Sequence, residues 1–436
     1  MTDQQIAKRQ PTSIELFAGC GGLALGMHRA GWNGLFAVER DPMAFATLDA
    51  NLVDEKAPYR AFNRWPNWMP RKSADLVALL ADEEFRDHLR GLQGSVDLVA
   101  GGPPCQGFSV GGKRDGEDER NSLVYRMLDF VELVQPRAVL IENVEGMARR
   151  FVSKPGTAGT SVAEDAIAKL EDLGYIASYH LINSADFGVP QARRRVAIIG
   201  VLAAGMSRQE LHDLTAVAIE RGAKAVRVEH GLPADGFISV KDAIDDLSGS
   251  RLVTTPDSPR FKSGTYTAAK SAYAKLMREG VAPGAIPDSH RMSVHGEGVR
   301  ALYELAHRTQ TPGRLSKEFL VANGTKKDKK VLLDSAAVVA TITTHPDEYI
   351  HYKHARNITV REMARLQSFP DRFTFHGRYT INGPRRRFDV ARCSQVGNAV
   401  PPLMGEGLGR AVIEVLGKIE DRKAKPNTGR RTKVNA

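Results

Sequence analysis

Three cysteines occur in the 436 residues, and the setting of one, Cys105, suggests chemistry. The segment Val96-Asp-Leu-Val-Ala-Gly-Gly-Pro-Pro-Cys-Gln-Gly-Phe-Ser109 runs from an apolar stretch into two glycines, two prolines and the thiol. Pro103 and Pro104 fix φ and remove two backbone donors, so Cys105 is presented by a stiff turn at a strand's end. Open α/β sheets carry their chemistry at the carboxyl ends of strands. A thiol so placed is either a nucleophile or an ordinary buried cysteine in a loop. Glu142, in Ile141-Glu-Asn-Val-Glu-Gly146, follows 37 residues later and ends a second apolar stretch. In a parallel sheet it shares an edge with Cys105, and a carboxyl beside a thiol suits acid–base work coupled to nucleophilic attack. Without Cys105 it would read as a solvated loop acid. In Gln191-Ala-Arg-Arg-Arg195, an extended chain turns Arg193 and Arg195 to one side and Arg194 to the other. Two guanidinium groups on one face suit an anion or a carbonyl oxygen, and the alternative is a solvated charge run.

A second constellation suits a cofactor. Glu15-Leu-Phe-Ala-Gly-Cys-Gly-Gly22 joins the first strand to the first helix, where a helix N-terminus favours an anionic group. Gly19 and Gly21 let the backbone approach a ligand. Glu39 ends the second strand 18 residues after Gly21, where a carboxylate accepts hydrogen bonds from ribose hydroxyls. An adenosine-bearing cofactor is expected, with NAD and S-adenosylmethionine both open at this point. Gln395-Val-Gly-Asn-Ala-Val-Pro-Pro402 leads into a helix, and Asn398 can bind through its side chain in the turn.

The elements that must position these residues alternate. Strands are expected at 13–17, 35–38, 96–100, 138–141 and 196–200, and helices at 23–30, 123–134 and 164–173. This order implies a parallel, doubly wound α/β sheet. Past residue 246 the periodicity becomes irregular, and 251–356 is expected as a separate, loop-rich module. A helix then returns at 360–367, with Thr359 and Glu362 as a capping box. Residues 421–436 read as a basic, disordered tail.

Hydrophobic content of 42% and charged content of 26% are those of a soluble globular protein. No 18-residue apolar run occurs, so no membrane span is expected, and the polar residues 1–11 carry no secretory signal. The three scattered cysteines form no disulfide framework and suggest a reducing compartment. No Cys-x-x-Cys is present, and His345, His351 and His354 lack fixed ligand spacing, so no metal is expected. The net charge of +10 is uneven: 251–356 carries 17 basic against 10 acidic residues, and 421–436 carries 6 against 1. A polyanionic partner is the natural inference.

Six motifs in order resemble the DNA (cytosine-5)-methyltransferase family, in its compact bacterial or phage form. They are Phe17-Ala-Gly-x-Gly-Gly22, Gly102-Pro-Pro-Cys-Gln-Gly-Phe-Ser109, Glu142-Asn-Val, Gln191-x-Arg-x-Arg195, Arg361-Glu-x-Ala-Arg-Leu-Gln-x-Phe-Pro370 and Gly397-Asn-x-Val-Pro-Pro402. The resemblance implies a Rossmann-like methyltransferase sheet with a smaller, irregular target-recognition domain. Residues 1–250 plus 357–420 would form the catalytic domain and 251–356 the recognition domain. It implies S-adenosylmethionine as cofactor, with S-adenosylhomocysteine as product. Phe17 would pack on the adenine, and Gly19, Gly21 and Gly22 would hold the methionine part. Glu39 would bind the ribose, Asp75 the adenine amino group, and Pro104 and Asn398 would complete the site. Arg40 departs from the aromatic residue many relatives carry there. Cys105 would attack C6 of a cytosine, Glu142 would protonate N3, and Arg193 and Arg195 would meet O2. No residue is assigned to remove the C5 proton. The target base would be flipped from duplex DNA, with Gln106 filling its place and Ser109 touching phosphate. Lys326, Lys327, Lys329 and Lys330, and Arg385, Arg386 and Arg387, would contact phosphates. The protein would act as a monomer on DNA in the bacterial cytoplasm, at the nucleoid, with a restriction endonuclease as a separate companion. A tRNA-directed relative, a catalytically silent DNA-binding relative and an NAD-dependent oxidoreductase are the rival readings.

Overall fold

A computed structural model describes residues 9–104, 122–150, 159–203, 205–249, 251–325, 329–380 and 389–424. Six strands form the main sheet: β1 (Thr12–Leu16), β2 (Asn33–Val38), β3 (Leu98–Gly101), β4 (Ala138–Val144), β5 (Ile176–Asn183) and β7 (Arg194–Val201). β6 (Gln191–Ala192) lies just before β7. The order across the sheet is β2-β1-β3-β4-β7-β5. β1, β2, β3 and β4 are paired in parallel.

The strands are apolar on both faces because helices cover both. Val139 and Ile141 of β4 join a core with α2 (Leu76–Ala81), α3 (Glu83–Gly91), α4 (Ser122–Val134) and α5 (Val162–Asp172). Ala138 and Leu140 join the opposite core, with α1 (Gly22–Arg29), α6 (Arg208–Glu229) and α10 (Pro402–Ala424). This is the doubly wound arrangement expected from the βα alternation. The expected all-parallel pairing is corrected at one strand: β7 runs antiparallel to both β4 and β5. Only residues 184–193 separate β5 from β7. A parallel crossover needs about a dozen residues or more, so the chain must turn back.

Residues 251–356 pack in two ways. A small core gathers Leu302, Tyr303 and Ala306 of α7 (Glu297–Thr309) with Leu315, Leu320, Leu332 and Ile350. It sits on a three-stranded sheet of β10 (Gly313–Arg314), β11 (Val331–Leu332) and β13 (Tyr349–Ile350). Tyr273, Met277, Leu333, Val339, Ile342 and Tyr349 instead join a core with Ile358, Met363 and Phe369. β12 (Val339–Ala340) pairs in parallel with β6, and β8 (Leu252–Thr255) forms a hairpin with β9 (Ser258–Gly264). α8 (Val360–Leu366) begins with the expected Thr359–Glu362 capping box. α9 (Arg392–Asn398) follows, and α10 runs to Ala424, into the segment expected to be disordered. Residues 425–436 lie outside the described residues.

Candidate active site

The first turn is built by backbone that tolerates little substitution. Phe17 has φ 54° and Gly19 φ 57°, both left-handed, so the chain leaves β1 sharply. A Cβ on Gly19 would meet nothing within 4 Å, so that side of the turn is open. A Cβ on Gly22 would stand 2.3 Å from the Val400 carbonyl oxygen, which explains glycine at the start of α1. The same approach brings Ala399 and Val400, which follow the exposed Asn398 at the end of α9, against the turn. Gly21 is the N-cap of α1.

Glu39 closes the turn from the end of β2. Its Oε2 accepts from the Gly19 N–H at 2.8 Å and its Oε1 from the Asp41 N–H at 2.7 Å. Burial raises its pKa, and the two backbone donors pull it back. Each carboxylate oxygen accepts more than one hydrogen bond, so capacity remains for a ligand. The Ala74 N–H donates to the Glu39 carbonyl, which sets Asp75 beside this edge. Asp75 caps α2 by accepting from Val77 and Ala78, and its Oδ2 lies 3.8 Å from the exposed Arg40.

The second half of the site lies two strands away. Glu142 is cross-strand partner of Ala197, and Arg195 stands two residues from Ala197, so both point to one face of the sheet. Arg195 Nε lies 3.2 Å from Glu142 Oε1, and both side chains are about nine-tenths buried. Burial raises the Glu142 pKa, against the pull of Arg195 and Arg193. Arg193 is also buried and donates from Nη1 to the Ile342 carbonyl at 3.2 Å. Arg194 faces outward and pairs with Glu145 at 3.3 Å. The alternation expected for the three arginines is therefore present.

Asn143, between Glu142 and Val144, donates from Nδ2 to the Pro103 carbonyl at 3.0 Å. It ties the proline turn to the strand that carries Glu142. Asn143 belongs to the Glu142-Asn-Val motif, and nothing local in the sequence shows this bridging role. Pro104 is exposed at the end of this turn. Cys105, Gln106, Ser109, Lys326, Lys327, Arg385, Arg386 and Arg387 lie outside the described residues.

The structure departs from the expectation at Lys330. Its ammonium is buried and donates to Tyr303 Oη at 2.6 Å and to the Asp347 carbonyl at 2.5 Å. A phosphate contact is thereby excluded for Lys330, whereas Lys329 is exposed. The Arg361–Pro370 motif is a buried scaffold. Arg365 pairs with Asp371 and Asp246, and Arg361 with Asp288, at 2.6 to 3.1 Å. Gln191 and Gln367, both fully buried, add an amide pair at 2.6 Å that joins the arginine motif to α8. Their burial depends on partners more than a hundred residues apart, which no local pattern shows.

Among the described residues no helix is long and apolar enough to cross a membrane. Residues 12–414 match the sequence profile of the C-5 cytosine-specific DNA methylase family. The chain is 31% identical to the Type II methyltransferase M.AgeI of Thalassovita gelatinovora, over 92% of this chain and 98% of that one. It is 29% identical to the Type II methyltransferase M.DdeI of Desulfomicrobium norvegicum, over 92% and 88%. The fold is similar to that of a prophage-encoded E. coli protein described as a DNA modification methyltransferase. There the TM-score is 0.59 at 24% identity, covering 93% of this chain and 99% of the other.

Proposed function

The chain belongs to the C-5 cytosine-specific DNA methylase family and is a DNA cytosine-5-methyltransferase, and from that premise we propose how its residues divide the work. The methyl group comes from S-adenosylmethionine, the substrate is a cytosine flipped out of a specific duplex sequence, and the reaction passes through a Cys105–C6 bond. The observation that carries this reading is the buried cluster of Glu142, Arg195 and Arg193 on one sheet face, tied through Asn143 to the proline turn that precedes Cys105.

The Gly19 turn supports the cofactor assignment. The turn is open where Gly19 lacks a side chain, and Glu39 stands over it with acceptor capacity left. Phe17, Gly19, Gly21, Gly22, Glu39, Asp75, Pro104 and Asn398 would hold S-adenosylmethionine, which supplies an electrophilic methyl group when bound. Glu39 serves the ribose hydroxyls. Asp75 keeps Oδ2 for the adenine amino group while Oδ1 caps α2.

C5 of cytosine is a poor nucleophile within the aromatic ring. The Cys105 thiolate forms a bond to C6, and the ring's electron density moves toward C5. Glu142 is suited to give its proton to N3, because burial favours its neutral form. Arg195, with Arg193 beside it, offers N–H donors to O2. C5 then takes the methyl group, its proton passes to solvent water, the C6–S bond breaks to return the Cys105 thiolate, and N3 gives its proton back to the Glu142 carboxylate. The base must leave the helix stack for any of this. Residues 251–356 provide target recognition, with Lys329 among the phosphate contacts. The Type II names of the relatives support a role in restriction–modification with a separate endonuclease. The enzyme then works as a monomer on cytoplasmic, nucleoid DNA.

Single-base mapping of 5-methylcytosine, on DNA incubated with the protein and S-adenosylmethionine, tests this. One sequence context is expected to be modified, and Cys105→Ala should abolish the signal. Modification that survives Cys105→Ala would overturn the covalent route. Modification of RNA alone would overturn the substrate.

A further inference from the structure

One short segment, residues 339–343, touches three parts of the molecule at once. β12 pairs with β6, and the Ile342 N–H donates to Gln191 Oε1 at 2.8 Å. The Ile342 carbonyl accepts from Arg193 Nη1. One peptide unit on each side of Ile342 therefore fixes both the start of the arginine motif and the arginine itself. On its other flank, a Cβ on Gly397 would stand 2.5 Å from the Thr343 carbonyl oxygen, so the segment lies tight against α9.

The segment is held from the recognition side by two neighbouring side chains: Thr343 Oγ1 donates to Glu348 Oε2 at 3.0 Å, and the Tyr349 hydroxyl bonds it at two points. Tyr349 Oη donates to the Thr341 carbonyl at 3.0 Å and accepts from the Thr343 N–H at 2.9 Å. Tyr349 belongs to β13, whose parallel neighbour is β11. Lys329, exposed, and Lys330, buried, immediately precede β11. The Lys330 ammonium reaches the Asp347 carbonyl, two residues before Tyr349. Burial pushes the Tyr349 hydroxyl pKa up, and Arg193 is among the groups that draw it back, which agrees with their proximity. A continuous set of main-chain and side-chain bonds thus runs from the small sheet to Arg193.

We propose that Tyr349 is a specificity-determining positioning residue: through residues 341–343 it couples engagement of target DNA by the β10–β11–β13 unit to the placement of Arg193. This rests on the role given to Arg193 above. A shift of β13 cannot be absorbed locally, because Thr341 and Thr343 follow the Tyr349 hydroxyl and Ile342 between them holds the guanidinium. Correct engagement places Arg193 for O2, and incorrect engagement leaves it displaced.

Tyr349→Phe removes the hydroxyl and leaves the ring in the core. Single-turnover methylation is measured at the sequence found by mapping and at its one-base variants. Tyr349→Phe should lower the rate at the preferred sequence by about 2- to 30-fold, the range seen for residues that carry coupling between sites. Rates at the one-base variants should stay unchanged, so the ratio between them falls, with little change in DNA affinity. A purely structural role would lower all rates by one factor. An equal loss everywhere, or no loss anywhere, overturns the coupling. Arg193→Ala is run in parallel. If it methylates like the parent, the role of Arg193 fails and the coupling with it. If it is slow and Tyr349→Phe is unselective, only the coupling fails. Should Tyr349→Phe not fold, amide exchange on the unaltered chain decides. The Ile342 and Thr343 amides should gain protection with a preferred duplex and not with a scrambled one, and equal protection by both overturns the idea.

Discussion

Glu142 shows how two opposing influences set a catalytic group. Burial raises its pKa, while Arg195 at 3.2 Å and the nearby Arg193 draw it down, and burial prevails. A group with a raised pKa keeps its proton below that value and loses it as pH rises through it. Turnover that needs a proton from Glu142 should therefore decline on the alkaline side. Glu142→Gln keeps an N–H donor and has no proton to transfer, so kcat should fall by about 10²-fold or more. Its pH profile should lack that decline, and a decline that persists in the variant would assign it to another group. Residues such as Glu142, Arg193 and Arg195 were legible in the sequence because strand alternation and strand ends are local properties. Lys330 was not. As one of four lysines in a charge run it looks solvated, and its burial depends on Tyr303, 27 residues away in the chain.

At the scale of elements, the βα alternation gave the layers, and local pattern located most strands of the sheet to within a few residues. It did not reveal β5, where the polar Ser178 and His180 take the buried positions and Tyr179 and Leu181 face outward, so the apolar pattern is broken, nor the reversal of β7, which follows from connection length. The Arg361–Pro370 motif was legible as a motif and not as a scaffold. Arg365 is fully buried and shared between Asp246 and Asp371. Removing one partner of a buried pair leaves charge without compensation, at a cost of about 3–5 kcal/mol. Arg365→Met should lower the unfolding free energy by that order in urea titrations. Arg208→Met, which breaks a surface pair with Glu171, should cost no more than about 1 kcal/mol. Similar losses for the two would mean that the buried network contributes little. Gly22→Ala, which drives a methyl into the Val400 carbonyl, should cost about 1–3 kcal/mol. It should also weaken binding of S-adenosylhomocysteine in calorimetry, because the whole turn must shift.

For the whole molecule, stability against pH follows from buried groups held far from their usual titration. Glu15, on β1 beneath the Gly19 turn, is fully buried. Its Oε2 makes no hydrogen bond among the described residues, and burial pushes its pKa up to about 8. The folded chain thus holds a proton that the unfolded chain releases near the ordinary carboxylate range. Folding stability from this group is present at low pH and is lost as pH rises toward about 8. His180 and His290 act in the opposite sense, since burial lowers both to about 4, and His351 is lowered by burial to about 3. The unfolded chain binds protons at these positions near pH 6.5, so their contribution is lost as pH falls through the folded values. Between about pH 4.5 and 6.5 these three histidines make stability climb with pH, and the raised carboxyls of Glu15, Glu39 and Glu142 oppose them. Above that window the histidines no longer titrate, the raised carboxyls remain, and stability should decline toward about pH 8. Glu15→Gln retains the shape of the side chain and removes the titration. Its melting temperature should exceed the parent's at pH 8 and approach it at pH 5. A variant that melts below the parent at both values would show that the Glu15 carboxyl has a partner in the folded chain that compensates its burial.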